Sequence, residues 1–583
     1  MIFRVFLAIL LLFMVVSTVP TWASDKPSAP EIATGISKTS VATGVNFMAV
    51  TAHPDATQAA YDILAAGGTA ADAGIAAQLV LGLVEPQSSG IGGGSFALYF
   101  DNASKNLFSL DGRETAPSVA GAHLFTKEDG TALGFYEAGN GGRAVGVPGT
   151  MRLLEKLHEW QGRVQWEDLF QPAIHLAQNG FRITERMNKM LGKEKNLFTV
   201  DTKTKLYFYP NADEPIPAGT IKNNLQYADT LKTLSLKGIN DFYHGKLAKN
   251  LVEKVRTNRP NPGLLSLEDM KDYEVIERMP LCRLYRDYRI CSMGQPSSGA
   301  LTLLMTLGML ENFDLKQSGA NNPQSWHIIA EASRLAFADR NHYIADPDFV
   351  KTPNTALLDP AYLKQRSQKI DPTRPLLNIS HGIPPQWNNE EASATDDSIK
   401  PPGTSHISIV DSYGNILSMT SSIQNAFGSR LMVDGYLLNN QLTDFAFMPN
   451  DENSQPKANR VDGGKRPRSS MSPTIIFNPD GTPLMVIGSA GGSRIIGYVL
   501  QRIISVIDWD MDIDTAMNAP HILHRGKKLE LESTGLEKAE SLKEYGHPVV
   551  VGEMNSGLTA IQFKGHKLIG VADPRRDGIA LGK

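Results

Sequence analysis

Residues 70–84, AADAGIAAQLVLGLV, are apolar on nearly every side when wound at helical pitch. A helix of that kind has to be covered all round, so the chain must build layers on both sides of it. The run leads directly into EPQSSGIGGGSFALYF, a glycine-rich turn followed by a strand, and NLFSLDGR at 106–113 reads as its hairpin partner. Upstream, VNFMAVTA reads as a strand and PDATQAAYDILAAGG as a helix closed by Gly67 and Gly68. Short buried strands alternating with buried helices predict a layered α/β body. The glycine turns leave open whether it has three layers or four.

The 583 residues are 42% apolar and 20% charged, which excludes a disordered or fibrous chain. Basic and acidic residues number 57 and 61, and no basic block stands out, so no nucleic-acid partner is expected. Arg4 precedes twelve apolar residues, Val5–Val16, with Thr21 and Ala23 at the −3 and −1 positions of a cleavage site. Such a run spans about 18 Å as a helix, short of a ~30 Å hydrocarbon core, so residues 1–23 read as a cleavable export signal. The mature protein is then periplasmic or secreted. Only two cysteines are present, too few for a structural zinc site. Cys282 and Cys291 bracket RLYRDYRI, and a strand pair there would bring them together as a local disulfide.

The middle of the chain, about 150–385, reads as largely helical, and QWNNEEASATDDSIKPPG at 386–403 as an exposed polar linker. TSHISIVDSYGNILSMTSSI follows, a hairpin turning at Asp411–Asn415. Centring the turn on Tyr413 sets Thr404 opposite Ser422 and His406 opposite Thr420. On the residues alone, polar edge positions explain these hydroxyls better than catalysis does. GSAGG at 488–492 joins a strand to a helix N-terminus, where converging N–H groups suit an oxyanion and glycines equally suit close packing. Ser469 and Ser470 after KRPR suit a carboxylate or a turn.

Several motifs taken together resemble the gamma-glutamyltransferases. They are LDGRETAP at 110–117, EASRLAFADR at 331–340, TSHISIVDSYGN from 404, LLNNQLTDF at 437–445, RPRSSMSPT at 466–474, GSAGGSRI at 488–495 and ADPRR at 572–576. The match runs colinearly over about 45–583. The resemblance implies an N-terminal nucleophile hydrolase with a four-layer αββα sandwich, a largely helical region from the first part, and no cofactor or metal. It implies a precursor cut between Gly403 and Thr404 into a large subunit, 24–403, and a small catalytic subunit, 404–583, which together form one composite domain. Thr404 then carries its own amine, with an ordinary pKa of about 7.7–8.0, so nucleophile and base are one residue. By the same resemblance Ser422 supports the nucleophile, and Gly491 and Gly492 form the oxyanion hole. Arg113, helped by Ser469 and Ser470, grips the substrate carboxylate, and Gln441 and Asp444 accept its ammonium. The implied substrates are glutathione and other gamma-glutamyl compounds, with amino-acid or dipeptide acceptors.

Three features depart from that pattern. Gln424 stands where an asparagine is expected, Ser422 where a threonine is, and 445–464 is short, polar and expected to be mobile. Cephalosporin and glutaryl amide acylases share the machinery and remain an alternative. An exported gamma-glutamyl peptide-binding protein is a third reading, although binding alone has no need of Thr404 and Ser422.

Overall fold

In the computed structural model, which describes residues 39–211, 213–259, 261–387, 394–396 and 403–583, the apolar run forms the helix Ala70–Val84. All its residues but Gly82 are buried. Thr69 caps it: the Thr69 hydroxyl accepts from Asp72 N–H and the Asp72 carboxylate accepts from Thr69 N–H. It packs beside Pro54–Ala65 against the outer face of one seven-stranded sheet.

That sheet runs in the order Ile579–Gly582, Met48–Thr51, Gly403–Val410, Ile416–Gln424, Gly94–Asp101, Asn106–Gly112, Ile276–Arg278. A second sheet of seven has the order Ser40–Gly44, Lys567–Ala572, Thr559–Lys564, Pro483–Gly488, Thr474–Phe477, Tyr288–Ser292, Leu281–Tyr285. Between the two lies a core that includes Val50, Leu98, Ile416, Ile475, Val486 and Ile561. Helices Gly299–Leu310, Pro323–Tyr343 and Arg494–Ile507 cover the outer face of the second sheet. The stacking is helix, sheet, sheet, helix: four layers, which decides the question left by the glycine turns.

The sequence hairpins appear where alternation placed them. Cys282 and Cys291 face each other in the pair Leu281–Tyr285 and Tyr288–Ser292 and are disulfide-bonded. Gly93 in the glycine run is required by close approach, since a Cβ there would stand 2.2 Å from the Ser422 carbonyl oxygen. Beyond the hairpin, Tyr436–Leu437 forms a short strand paired with Met432–Val433.

The export signal lies outside the described residues, as does most of the linker. Where the linker is described it is exposed only in part: Gln386 and Thr395 face solvent, whereas Ala394, Asp396 and Gly403 are buried. Ala394 N–H donates to the Pro456 carbonyl, and buried Asp396 pairs with Arg468 at 2.9 Å. Asp396 also accepts from Asn459. A polar composition predicts exposure only when no internal partner is waiting, and here Arg468 is one. Among the described residues, no helix is long and apolar enough to cross a membrane.

Candidate active site

Thr404 is the second residue of an inner strand of the first sheet, Gly403–Val410, between Met48–Thr51 and Ile416–Gln424. The sequence register holds from Ser405, which faces Ser421, through His406 opposite Thr420 to Val410 opposite Ile416. It breaks at the residue of interest. Gly403 pairs with Gln424, leaving Thr404 in a bulge instead of squarely opposite Ser422. Three contacts pin the irregularity. Ser422 Oγ donates to the Gly403 carbonyl at 2.5 Å, Arg576 Nη1 to the Thr404 carbonyl at 2.9 Å, and Ser405 Oγ to Glu85 Oε2 at 3.0 Å. Burial pushes Glu85 up to about 7 against the opposing pull of Arg186, and pushes Arg576 down to about 9. His406, also buried, is lowered to about 3 and is a neutral ring bonded to the Thr420 hydroxyl.

Thr404 opens onto a polar cleft that Arg113, Ser422, Gln424, Gln441, Asp444, Ser469, Ser470 and Gly492 also line. Arg113 stands just beyond the strand Asn106–Gly112, its carbonyl held by Tyr273 and Arg466. Its guanidinium meets Asp444 at 2.6 Å. Gln441 donates to Asp444 at 3.0 Å and Gln424 at 3.3 Å, while the Oε1 of each glutamine is buried with no hydrogen-bond partner. Gln424 adopts φ +79, a left-handed conformation rare for its type, as it turns out of the strand. A cation acceptor made of one carboxylate and two amide oxygens therefore sits beside a guanidinium. That is the charge pattern of an α-amino acid head group, reversed.

The GSAGG loop meets the close-packing reading and leaves its amides available to the other. Gly491 has φ +125, and a Cβ there would come 2.6 Å from the Tyr498 ring, so packing requires glycine. Gly492 has φ +60 and reaches the cleft. Neither amide donates a hydrogen bond among the described residues, and both precede the helix Arg494–Ile507. Gly491 is the one sequence candidate for this chemistry that does not itself line the cleft.

A gamma-glutamyltranspeptidase family model matches residues 56–583. The chain belongs to that family. The glutathione hydrolase proenzyme of Bacillus subtilis is 35% identical over 554 residues, covering 92% of each chain. Among solved structures, a cephalosporin acylase from Bacillus halodurans superposes with a TM-score of 0.82 at 25% identity, over 93% of this chain and 97% of that one. A Helicobacter pylori gamma-glutamyltranspeptidase gives 0.56 at 33% identity, over 58% of this chain and 96% of that one.

Sequence reasoning missed Arg340, Arg468 and Ser493 in the cleft wall and Arg576 behind Thr404. EASRLAFADR and ADPRR carried the signal for the first and last of these, but motif membership assigns no task. The segment 445–464 is also not the mobile strip expected. Ala446 bonds Asn459, Lys457 bonds Pro449, and Phe447 stacks on Phe125 at 4.7 Å. It is a folded loop, and none of its residues lines the cleft.

Proposed function

We propose that this member of the family cuts its own Gly403–Thr404 peptide and then cleaves gamma-glutamyl amides, glutathione among them, through an ester on Thr404 Oγ. In maturation, Thr404 Oγ attacks the Gly403 carbonyl carbon, and the Ser422 hydroxyl already bonded to that carbonyl oxygen supports the charge that develops there. Water hydrolyses the resulting ester, leaving a carboxylate on Gly403 and an amine on Thr404. In turnover that amine takes the Thr404 hydroxyl proton and Oγ attacks the substrate γ-carbonyl. The N–H groups of Gly491 and Gly492 receive the oxyanion, and the proton passes to the departing amine. Water or an amino acid or dipeptide then takes the acyl group. The two subunits stay together as a heterodimer, exported by the leader at 1–23.

The observation that carries the donor assignment is Asp444 with its two flanking amide oxygens beside Arg113. A site built to hold a substrate ammonium discriminates against an analogue that lacks it, because its buried acceptors are left unpaired. The structural likeness to a cephalosporin acylase keeps an acylase reading as the second one.

Two measurements test the proposal. Purified protein should give a small subunit of 583 − 403 = 180 residues, roughly 20 kDa, whose N-terminal sequence is Thr-Ser-His-Ile. Thr404→Ala should stay one chain near 64 kDa with activity down by about 10⁴ or more. Any other N-terminus overturns the cleavage site. Faster wild-type turnover of glutaryl-p-nitroanilide than of γ-glutamyl-p-nitroanilide overturns the donor assignment in favour of the acylase.

A further inference from the structure

Three arginines line the cleft and a fourth, Arg525, bonds Ser493 of its wall; three of the four have a carboxylate partner. Arg113 pairs with Asp444, Arg468 with Asp396, and Arg525 with Glu530. Arg340, near the end of the helix Pro323–Tyr343, lines the same cleft, is 7% exposed and forms no ion pair among the described residues. Its hydrogen bonds go to neutral oxygens: Nε to Ser298 Oγ at 2.9 Å, Nη1 to Asn341 Oδ1 at 2.8 Å and Nη2 to Ser470 Oγ at 2.9 Å. Burial, reinforced by the neighbouring Arg468 and opposed by Asp396 and Asp444, neither of them in ion-pair contact with it, holds its guanidinium well below the usual arginine range. A buried cation with three of its five N–H groups placed on neutral partners is an electrostatic deficit that an anion in the cleft would relieve.

The hydroxyls around it have fixed directions. A guanidinium only donates, so the Ser470 oxygen must accept from Arg340. Ser298 also accepts from Arg340 and donates its own proton to the Ser469 carbonyl at 2.6 Å. Ser298 lies 3.5 Å from Ser470, at the limit of a hydrogen bond. The Ser470 proton is thereby left for whatever occupies the cleft.

We infer that Arg340 is a positioning residue for the carboxylate of the acyl donor, acting through Ser470, whose hydroxyl it turns into a donor aimed at that carboxylate. The inference rests on the gamma-glutamyl reading above. It adds a residue that selects for the carboxylate end of the substrate, separate from the contact made by Arg113. Arg340 touches no reacting atom, so it should act on KM and leave kcat nearly alone.

The test compares γ-glutamyl-p-nitroanilide with 4-aminobutyryl-p-nitroanilide, which keeps the ammonium and the amide and lacks the carboxylate. Arg340→Met should raise KM for the first at least tenfold with kcat within threefold, and change KM for the second less than twofold. Arg340→Lys, which keeps the charge without the planar fork, should recover part of the loss. In a Ser470→Ala background, Arg340→Met should add little further loss, since the hydroxyl it directs is gone. Equal losses on both anilides make Arg340 a structural clamp between its helix and the loop at 467–472, and overturn the inference. Failure of both the Met and Lys variants to yield two subunits overturns it as well. If the wild-type enzyme itself shows no preference for the anilide bearing the carboxylate, the donor reading beneath the inference is what has failed.

Discussion

At the donor end of the cleft, Arg113, Gln424, Gln441 and Asp444 bond to one another and to buried carbonyls before any substrate arrives. The loop at 445–464, next in sequence, directs its polar groups to itself and to the segments that hold it, Asn459 to Asp396 and to the Asp444 carbonyl. Asp451 accepts from Asn453 and Gln455, and the ammonium of Lys465 caps the Ala458 carbonyl. One region is preorganised to recognise a ligand and the other merely to stay folded. Preorganised groups do not have to be reoriented on binding, so they discriminate strongly, whereas a wall that stays off the cleft neither selects a second substrate nor excludes water. If the proposed function holds, the difference predicts an enzyme that specifies its acyl group closely and its acyl acceptor loosely.

The strongest way to break that comparison is Asp444→Asn. Losing a charge-assisted contact to the substrate ammonium should reduce kcat/KM for a γ-glutamyl anilide by roughly 2–3 kcal/mol, about 30- to 150-fold. The glutaryl analogue, which has no ammonium, should lose far less. Matching losses on the two would reject Asp444 as the discriminating group.

A smaller effect should come from Glu114. Both its carboxylate oxygens are buried without hydrogen bonds, and burial raises it to about 8 although Arg113, Nη1 3.7 Å away, pulls the other way. It also feels Asp444 and Arg466. Below that pH it is neutral. As pH rises through about 8 it gains a negative charge that competes with the substrate carboxylate for Arg113, so KM should rise severalfold. Because the folded state holds this proton more tightly than the unfolded chain, its contribution to stability is full at acid pH and is lost as pH climbs toward 8. Glu114→Gln should flatten both profiles, and a wild-type KM that stays level to pH 9 would remove Glu114 from the donor site.

The smallest effect belongs to the open side. With no residue of 445–464 over the cleft, millimolar glycylglycine should divert only a minority of the acyl-enzyme and change anilide release less than twofold. Separate assay of free glutamate and γ-glutamyl-glycylglycine decides this. Peptide product in the majority would mean that some other element shields the ester and holds an acceptor.

Much of this was legible in the chain because local chemistry governs it. Asp411–Asn415 turns the hairpin tightly enough that its register holds from Ser405 to Val410. The all-round apolar run at 70–84 could only be an interior helix. The bulge at Thr404 was not legible, since the contact on its carbonyl comes from Arg576, 172 residues away. Nor was Arg340, whose interest lies in a missing counter-charge, a property of the folded neighbourhood and of no residue type. The buried Asp396 escaped for a related reason: a composition average over 386–403 cannot register one aspartate that finds an arginine.

The order of strands has a consequence for what a cut at Gly403–Thr404 can accomplish. In the first sheet, Met48–Thr51 lies between Ile579–Gly582 and Gly403–Val410, one neighbour from the chain's end and one from just past the cut. In the second, four consecutive strands from beyond residue 404 are bracketed on both edges by strands from before it. The two pieces are thus woven, each completing sheets the other leaves unfinished, and neither inherits a whole framework. Severing the backbone there frees no body to diffuse away and opens no joint. It changes the chemistry at the two ends of one bond, leaving a carboxylate on Gly403 and an amine on Thr404, while the strands around it keep their partners.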